Sequence, residues 1–260
     1  MAVTGVLGGA EGVRGSALWR LVRTEFRLFL RERAAVAWGI GFPVLLLVIF
    51  GSIPAFKKVQ ASSGGLTLLE VYVPILIVMN MALLGLVILP GTLATYREMG
   101  ILRRLRTTPA GPARVLGAQL VIAFALAVFE LVLILVVARL AYGVPFPRSF
   151  GPWAVTALLS AAALLGIGLT VAAVGTTGRA TQVIGSVLFY PMMFFSGLWV
   201  PIPTMPAVLQ HISHATPLGA AWEAFQQASL GHWPPALPMV TMGIYAVVFG
   251  AAAAKLFRWE

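Results

Sequence analysis

Charged residues are spaced so widely in this chain that they divide it into apolar runs of membrane-crossing length. Between Arg33 and Lys57 lie 23 uncharged residues, and between Glu70 and Arg97 lie 26. Val115 to Ala138 carries one charge, Glu130, in 24 residues, and Ser149 to Gly178 carries none in 30. Ala180 to Trp222 is uncharged for 43 residues, too long for one crossing and broken by Pro201, Pro203, Pro206 and Pro217; Ala224 to Ala254 adds 31 more. A helix needs about 20 predominantly apolar residues to cross roughly 30 Å of hydrocarbon. Six spans are predicted, at about 35–56, 71–95, 114–138, 153–175, 180–200 and 235–255. All are expected to be helices, because lipid offers no partner to an unpaired backbone group and these runs lack the alternation of a membrane barrel.

The residue inventory narrows the chemistry. Hydrophobic residues make up 60% and charged residues 10%, with mean hydropathy +0.95, whereas a soluble domain carries charge at about a quarter of its positions. There is no Cys, and all eight acidic residues are Glu. Thiol catalysis, disulfides, cysteine metal sites and Asp-dependent phosphotransfer are thereby excluded. The net charge of +10 does not indicate a nucleic-acid binder, since the basic residues flank apolar runs rather than cover a soluble face.

Those flanks set the expected orientation. With the N-terminus in the cytoplasm, Arg14, Arg20, Arg23, Arg27, Arg31, Arg33, Arg97, Arg103, Arg104, Arg106, Arg114, Arg179, Lys255 and Arg258 lie inside, against Lys57, Lys58, Arg139 and Arg148 outside. The positive-inside rule is met with both termini cytoplasmic. Trp38, Trp153, Trp199, Trp233 and Trp259 fall at span ends, where amphipathic rings prefer the headgroup level. The first apolar run is long enough to remain as an anchor, so no cleavable signal peptide is expected. The 15 Arg against 3 Lys fit a GC-rich bacterial gene, and a bacterial plasma membrane is the expected location.

Residues 1–15 read as a flexible N-terminus, 16–33 as a cytoplasmic helix lying on the membrane, and 34–258 as the spanning domain. At 100° per residue, Arg20, Arg23, Arg27 and Arg31 share one face of the 16–33 helix, while Leu18, Trp19, Val22, Phe26, Phe29 and Leu30 share another. Such an elbow helix sinks its apolar side into the acyl boundary and presents the Arg row to anionic lipid or a cytoplasmic partner; topology control alone is the simpler alternative.

The inner connection after the second span has a different design. Ile101, Leu102 and Leu105 form an apolar ridge on a helix, Arg97, Arg103, Arg104 and Arg106 point elsewhere, and Pro109 stops it. A short ridged helix is suited to docking. Glu98 falls within the apolar arc, so it is expected to accept hydrogen bonds from a partner or from the elbow helix.

The run Arg97-Glu98-Met99-Gly100-Ile101-Leu102-Arg103-Arg104-Leu105-Arg106-Thr107-Thr108-Pro109 resembles the segment after the second helix of type-2 ATP-binding-cassette (ABC) transporter permeases, especially their drug-resistance exporter branch. Phe194-Phe195-Ser196-Gly197-Leu198-Trp199-Val200-Pro201, with Met205-Pro206 and Thr216-Pro217-Leu218, is similar to that family's fifth helix and the short extracellular re-entrant helices before the sixth. The resemblance implies an all-α half-transporter with six transmembrane helices, an elbow helix, a cytoplasmic coupling helix at 97–106 and an extracellular re-entrant stretch. It also implies pairing with a second permease copy or a related permease, and with two copies of a separate ATPase subunit. ATP and Mg²⁺ would be bound by that subunit. No cofactor and no catalytic residue is expected in this chain: Lys57, Lys58 and Lys255 follow Phe, Lys and Ala, so no Gly-Lys-Ser/Thr phosphate loop exists.

Other residues are candidates for the pathway. Glu130 lies two-thirds of the way across the third span and is either a pathway residue or a neutral or interhelically hydrogen-bonded structural carboxyl. Arg139 lies 900° further round the same helix and is expected to snorkel outward instead of pairing with it. Tyr190, Met193 and Phe194, with Phe189, Met192 and Phe195, either line a cavity or pack a dimer. His211, His214, Pro217 and Glu223 mark the re-entrant stretch as polar lining; no metal site is expected, the HxxH spacing lacking its adjoining Glu. Gly166, Gly168, Ala172 and Gly175 permit close helix contact, and Gly185 with Gly197 around Pro191 permits a kink, with packing the default reading for all of them.

The reading is an exporter permease for hydrophobic or amphipathic molecules such as drugs, natural products or lipids, in contact with membrane lipid and not with nucleic acid. A secondary transporter using Glu130 and a membrane enzyme using His211, His214 and Glu223 are the alternatives; the first predicts an internal three-plus-three repeat, and none is evident.

Overall fold

The computed structural model describes residues 22–24, 26–27, 31, 36–59, 65–101, 104 and 111–256. These are helical apart from short connections and one isolated antiparallel bridge, Val59 to Thr67. The helices are α1 (Ala37–Ser52), α2 (Leu68–Glu98), α3 (Gly111–Tyr142), α4 (Phe150–Val174), α5 (Gly178–Phe195), α6 (Ala207–Ala215), α7 (Pro217–Ser229) and α8 (Ala236–Leu256). Of these, α2, α3, α4 and α8 are long and apolar enough to cross a membrane, which makes this a multi-pass membrane protein. Helix α1 has 16 residues, about 24 Å of rise, and α5 has 18 but carries Arg179, Thr181, Gln182 and Ser186 in its first half.

The second helix is the centre of the bundle. In its most apolar stretch 83% of residues are buried, against 17% for α8, so α8 is peripheral while α2 has neighbours on every side. It packs against α1, α3, α4, α5 and α7. A reciprocal cap starts it. The Glu70 N–H donates to Thr67 Oγ1 at 3.2 Å, and the Thr67 N–H donates to Glu70 Oε2 at 2.6 Å.

Midway, Leu83–Ile88 widens into a π-helical turn. The Leu89 N–H donates to the Leu84 carbonyl in that register, so the next donor would be Pro90 to Gly85, and Pro90 has no N–H. The Gly85 carbonyl is the group that Gly168 of α4 abuts so closely that a Cβ there would overlap it. The neighbouring Leu86 carbonyl meets Gly185 of α5 in the same way. Helices in lipid gain little from apolar burial and are held by close approach of this kind, with Cα–H groups facing carbonyl oxygens. Gly185 is therefore a packing contact, as the default reading of these glycines has it. The helix end comes from Gly197, at φ +87, followed by Pro201, which stops α5 at Phe195 instead of 200.

Outside α5 the chain turns back as the α6–α7 pair. Thr216 caps α7 through its hydroxyl, which accepts from the Gly219 N–H at 3.1 Å, and Pro217 occupies the first helical position. Leu218, Ala220, Ala221, Ala224 and Phe225 bury α7 against α4 and α2. Trp153 is the exception among the expected interfacial tryptophans. It is buried at 4%, stacked edge-on against Phe225 at 4.7 Å, with its indole N–H donating to Ser229 Oγ at 3.0 Å; Trp38, Trp199 and Trp233 stay exposed. Trp259 and residues 1–15 lie outside the described residues.

Gly168→Ala should lower the unfolding midpoint in detergent by the equivalent of about 1–3 kcal/mol, because two backbones must separate. Gly243→Ala on α8, where a Cβ meets nothing within 4 Å, should be neutral or gain up to about 1 kcal/mol. Equal behaviour of the two would remove the close-contact explanation.

Candidate functional site

A cavity of about 610 Å³ opens between α1, α2 and α5. Trp38, Phe42, Leu46 and Phe50 form its α1 wall, and Tyr72, Met79, Leu83 and Val87 its α2 wall. From α5 come Gln182, Ser186, Phe189, Tyr190 and Met193, which follow one another at helical spacing and so occupy one stripe. Tyr72 to Thr92 on α2 spans 20 residues, about 30 Å, so the space is long and narrow. Thr92, Gln182 and Ser186 make one end polar; the remainder is aromatic, aliphatic and Met. At the opposite end Phe50 stacks on Phe56 at 4.9 Å, both meet Tyr72 edge-on, and the Tyr72 hydroxyl donates to the Leu198 carbonyl at 3.2 Å. An apolar trough with a few polar groups at one end suits an elongated amphipath.

Tyr190 and Met193 thus line the cavity as one of the two readings of α5 predicts. Phe194 does not, packing instead with Val71, Tyr72, Ile75, Ile202, Met205 and Trp222. Gln182, Ser186 and Thr92 escaped the sequence reading. Their signal was the alignment of Gln182 and Ser186 with Phe189 and Met193 on one helical stripe.

Glu130 does not line the cavity. It is 1% exposed within the stripe of α3, including Ala123, Ala127, Ile134 and Ala138, that faces the protein. Neither carboxyl oxygen has a hydrogen-bond partner among the described residues, and the same holds for both amide atoms of Asn80 on α2. Asn80 lies 12 residues from the start of α2, and Glu130 lies 12 from the end of α3, each about 18 Å along its helix from that end, and α2 and α3 pack against one another. Arg139 is exposed in the last turn of α3, its guanidinium donating to the Gly143 carbonyl at 3.4 Å and resting over Phe146.

At its C-terminal end α2 continues through Glu98 and turns at Gly100, which has φ +69. Arg97 and Glu98 therefore end the second helix rather than open the next. The Arg97 guanidinium donates to the Ala173 carbonyl at 3.5 Å, and Glu98 Oε2 accepts from the Gly178 N–H at 2.9 Å. Among the described residues, the acceptor role expected of Glu98 is filled by a donor of this chain's own fifth helix. Beyond the turn Ile101 is half-buried and Arg104 exposed, and both are helical. Leu102, Arg103, Leu105 and Arg106 lie outside the described residues, as does Arg20. Arg23, Phe26, Arg27 and Arg31 are helical and exposed, while Val22 packs against the main core.

Between α6 and α7, His214 Nδ1 and Glu223 Oε2 approach to 2.5 Å and join the two helices. His211 is exposed, Pro217 is buried at the start of α7, and among the described residues no three His or Glu side chains gather where a metal ion could sit. The pair acts as a strap: the Tyr245 hydroxyl of α8 donates to the Ala215 carbonyl beside it at 3.3 Å.

Comparison with known proteins supplies the context for this geometry. Residues 16–230 match the ABC-2 type transporter family. The chain is 24% identical over 192 residues to the probable multidrug ABC transporter permease YbhR of Escherichia coli strain K12, and equally to YbhR of E. coli O157:H7. The match covers 72% of this chain and 51% of each relative, so the chain spans about half the length of the curated relatives it matches.

Tyr190→Ala should weaken binding of a fluorescent amphipathic dye by about 1 kcal/mol, roughly fivefold in Kd, through lost apolar contact. Glu130→Gln, which keeps shape and polarity, should leave that Kd unchanged in a titration of the purified protein. A weakened Kd for Glu130→Gln with normal Tyr190→Ala binding would reverse the two assignments.

Proposed function

The chain belongs to the ABC-2 type transporter family, and from that premise we propose that it is the membrane-spanning permease of an exporter whose ATPase is a separate subunit. The cavity between α1, α2 and α5 carries this reading. Its length, its apolar walls and its polar inner end fit a hydrophobic or amphipathic cargo with an elongated apolar part. Soft Met and aromatic linings accept varied shapes, in keeping with the E. coli relatives being probable multidrug permeases.

In this reading α1 and α5 cross the membrane with α2, α3, α4 and α8, giving six spans with both termini in the cytoplasm of a bacterial cell. The 16–33 helix lies on the inner surface as an elbow, and α6 and α7 form the re-entrant stretch. The exposed apolar flank of α5, with Val183 and Val187, and that of α1, with Leu45 and Ile49, suit a second permease copy or a related permease. Nothing in the sequence forms a phosphate-binding loop, so ATP and Mg²⁺ belong to the two ATPase copies. Their work enters through the segment from Ile101 to Arg106, whose apolar ridge seats on the ATPase while its Arg residues meet acidic groups there.

Replacing Leu102 and Leu105 together by Glu places two charges in that contact. The variant should insert normally and bind cargo as before, yet lose co-purification of the ATPase subunit and stimulated ATP hydrolysis by about tenfold or more. Undiminished stimulation would contradict docking through this ridge.

A further inference from the structure

The contacts at the inner end of α2 connect the proposed docking segment to the cavity. Glu98, the last residue of α2, accepts from the N–H of Gly178, the first residue of α5, at 2.9 Å. That N–H has no partner within its own helix, and the carboxylate also meets the positive end of the α5 dipole. The adjoining Arg97 holds the Ala173 carbonyl at the end of α4. The junction then continues along both helices. A Cβ on Gly178 would overlap Thr95 Oγ1, one on Gly91 would stand 2.7 Å from Gln182 Cγ, and one on Gly185 would overlap the Leu86 carbonyl. Close-packed contacts of this kind transmit displacement because they leave no room for sliding or tilting. Helix α1 is held differently, against α3 and the outer half of α2, with the cavity between it and α5.

We propose that Glu98, with the glycine contacts above it, makes the inner halves of α2 and α5 a single rigid lever. Glu98 is the positioning residue that ties α5 to the segment beyond Gly100. Displacement of that segment then carries the Gln182–Met193 wall against α1 and changes the width of the cavity. Contact with cargo is left to the α5 stripe; Glu98 acts through α5. This inference rests on the proposed function, and it specifies which wall of the cavity the ATPase moves.

The chain has no Cys, so Ser186→Cys gives a single reactive probe in the moving wall. Its maleimide labelling rate is measured in the complex with the ATPase subunit, with and without a non-hydrolysable ATP analogue. The nucleotide should change the rate by about tenfold, within the ordinary range of coupling between sites. Adding Glu98→Ala should abolish that change while the ATPase subunit still co-purifies, and Glu98→Gln, which retains an acceptor oxygen, should restore most of it. Gly178→Ala should also abolish the change, and Gly178→Ala with Thr95→Ala, which clears Oγ1 from the Cβ, should recover it; this pair decides the matter if Glu98→Ala does not fold. An unaltered nucleotide response in Glu98→Ala overturns the lever, as does failure of Thr95→Ala to rescue Gly178→Ala. Loss of the ATPase subunit from Glu98→Ala overturns it differently, making Glu98 a docking residue and leaving the proposed function intact. If the complex with Ser186→Cys alone neither assembles nor responds, the proposed function fails and the lever with it.

Discussion

Lipid withdraws the force that folds soluble proteins, since apolar surface gains almost nothing by leaving hydrocarbon for a protein interior. What remains to hold such a bundle is backbone close approach and the satisfaction of every polar group within helices. In this chain both demands meet on α2. Its π-helical turn, set against the missing N–H of Pro90, presents the Gly85 and Leu86 carbonyls to Gly168 of α4 and Gly185 of α5. A residue with any side chain at either glycine would push a neighbouring helix outward. The rest of the architecture, including the cavity, follows from the helices that α2 holds and those it leaves apart.

The cavity is where that packing is incomplete. Helices α1 and α5 both touch α2, but the space between them stays open from Tyr72 to Thr92 and is walled by large aromatic and Met side chains. Thr92, Gln182 and Ser186 gather at one end, while the Tyr72 hydroxyl at the other is engaged by the Leu198 carbonyl. Glu130, the most conspicuous polar residue of the sequence, sits elsewhere, in the contact of α3 with its neighbours and at the depth of Asn80. A buried carboxyl in a span is often a pathway residue; here the neighbouring stripe of small and aliphatic side chains gives it a structural setting.

Much of the fold was legible because charge placement is a coarse signal that tertiary contacts rarely override. Each of the six expected spans coincides with a helix to within a few residues, although only α2, α3, α4 and α8 meet the length and apolarity of a crossing on their own. Ends were less legible. Glu98 belongs to α2 because Gly100 at φ +69, not the first Arg, makes the turn, and Trp153 is buried because Phe225 and Ser229 arrive from a distant segment. Of the site, Tyr190 and Met193 were visible as residue types, whereas Phe194, one residue on, points 100° away into another cluster. The contribution of α1 to the cavity could not be read from a run that is apolar all round. No local pattern announces a contact such as Glu98 to Gly178, which depends on where two helix ends meet 80 residues apart.

The proposed function is that this bundle moves cargo on work done by ATP hydrolysis in a neighbouring subunit. The most direct measurement is uptake of an amphipathic dye by inverted proteoliposomes holding the chain with and without its ATPase subunit, under ATP or under an imposed proton gradient. The account predicts accumulation only with both the subunit and ATP, and no response to the gradient. Gradient-driven accumulation by the chain alone would contradict it.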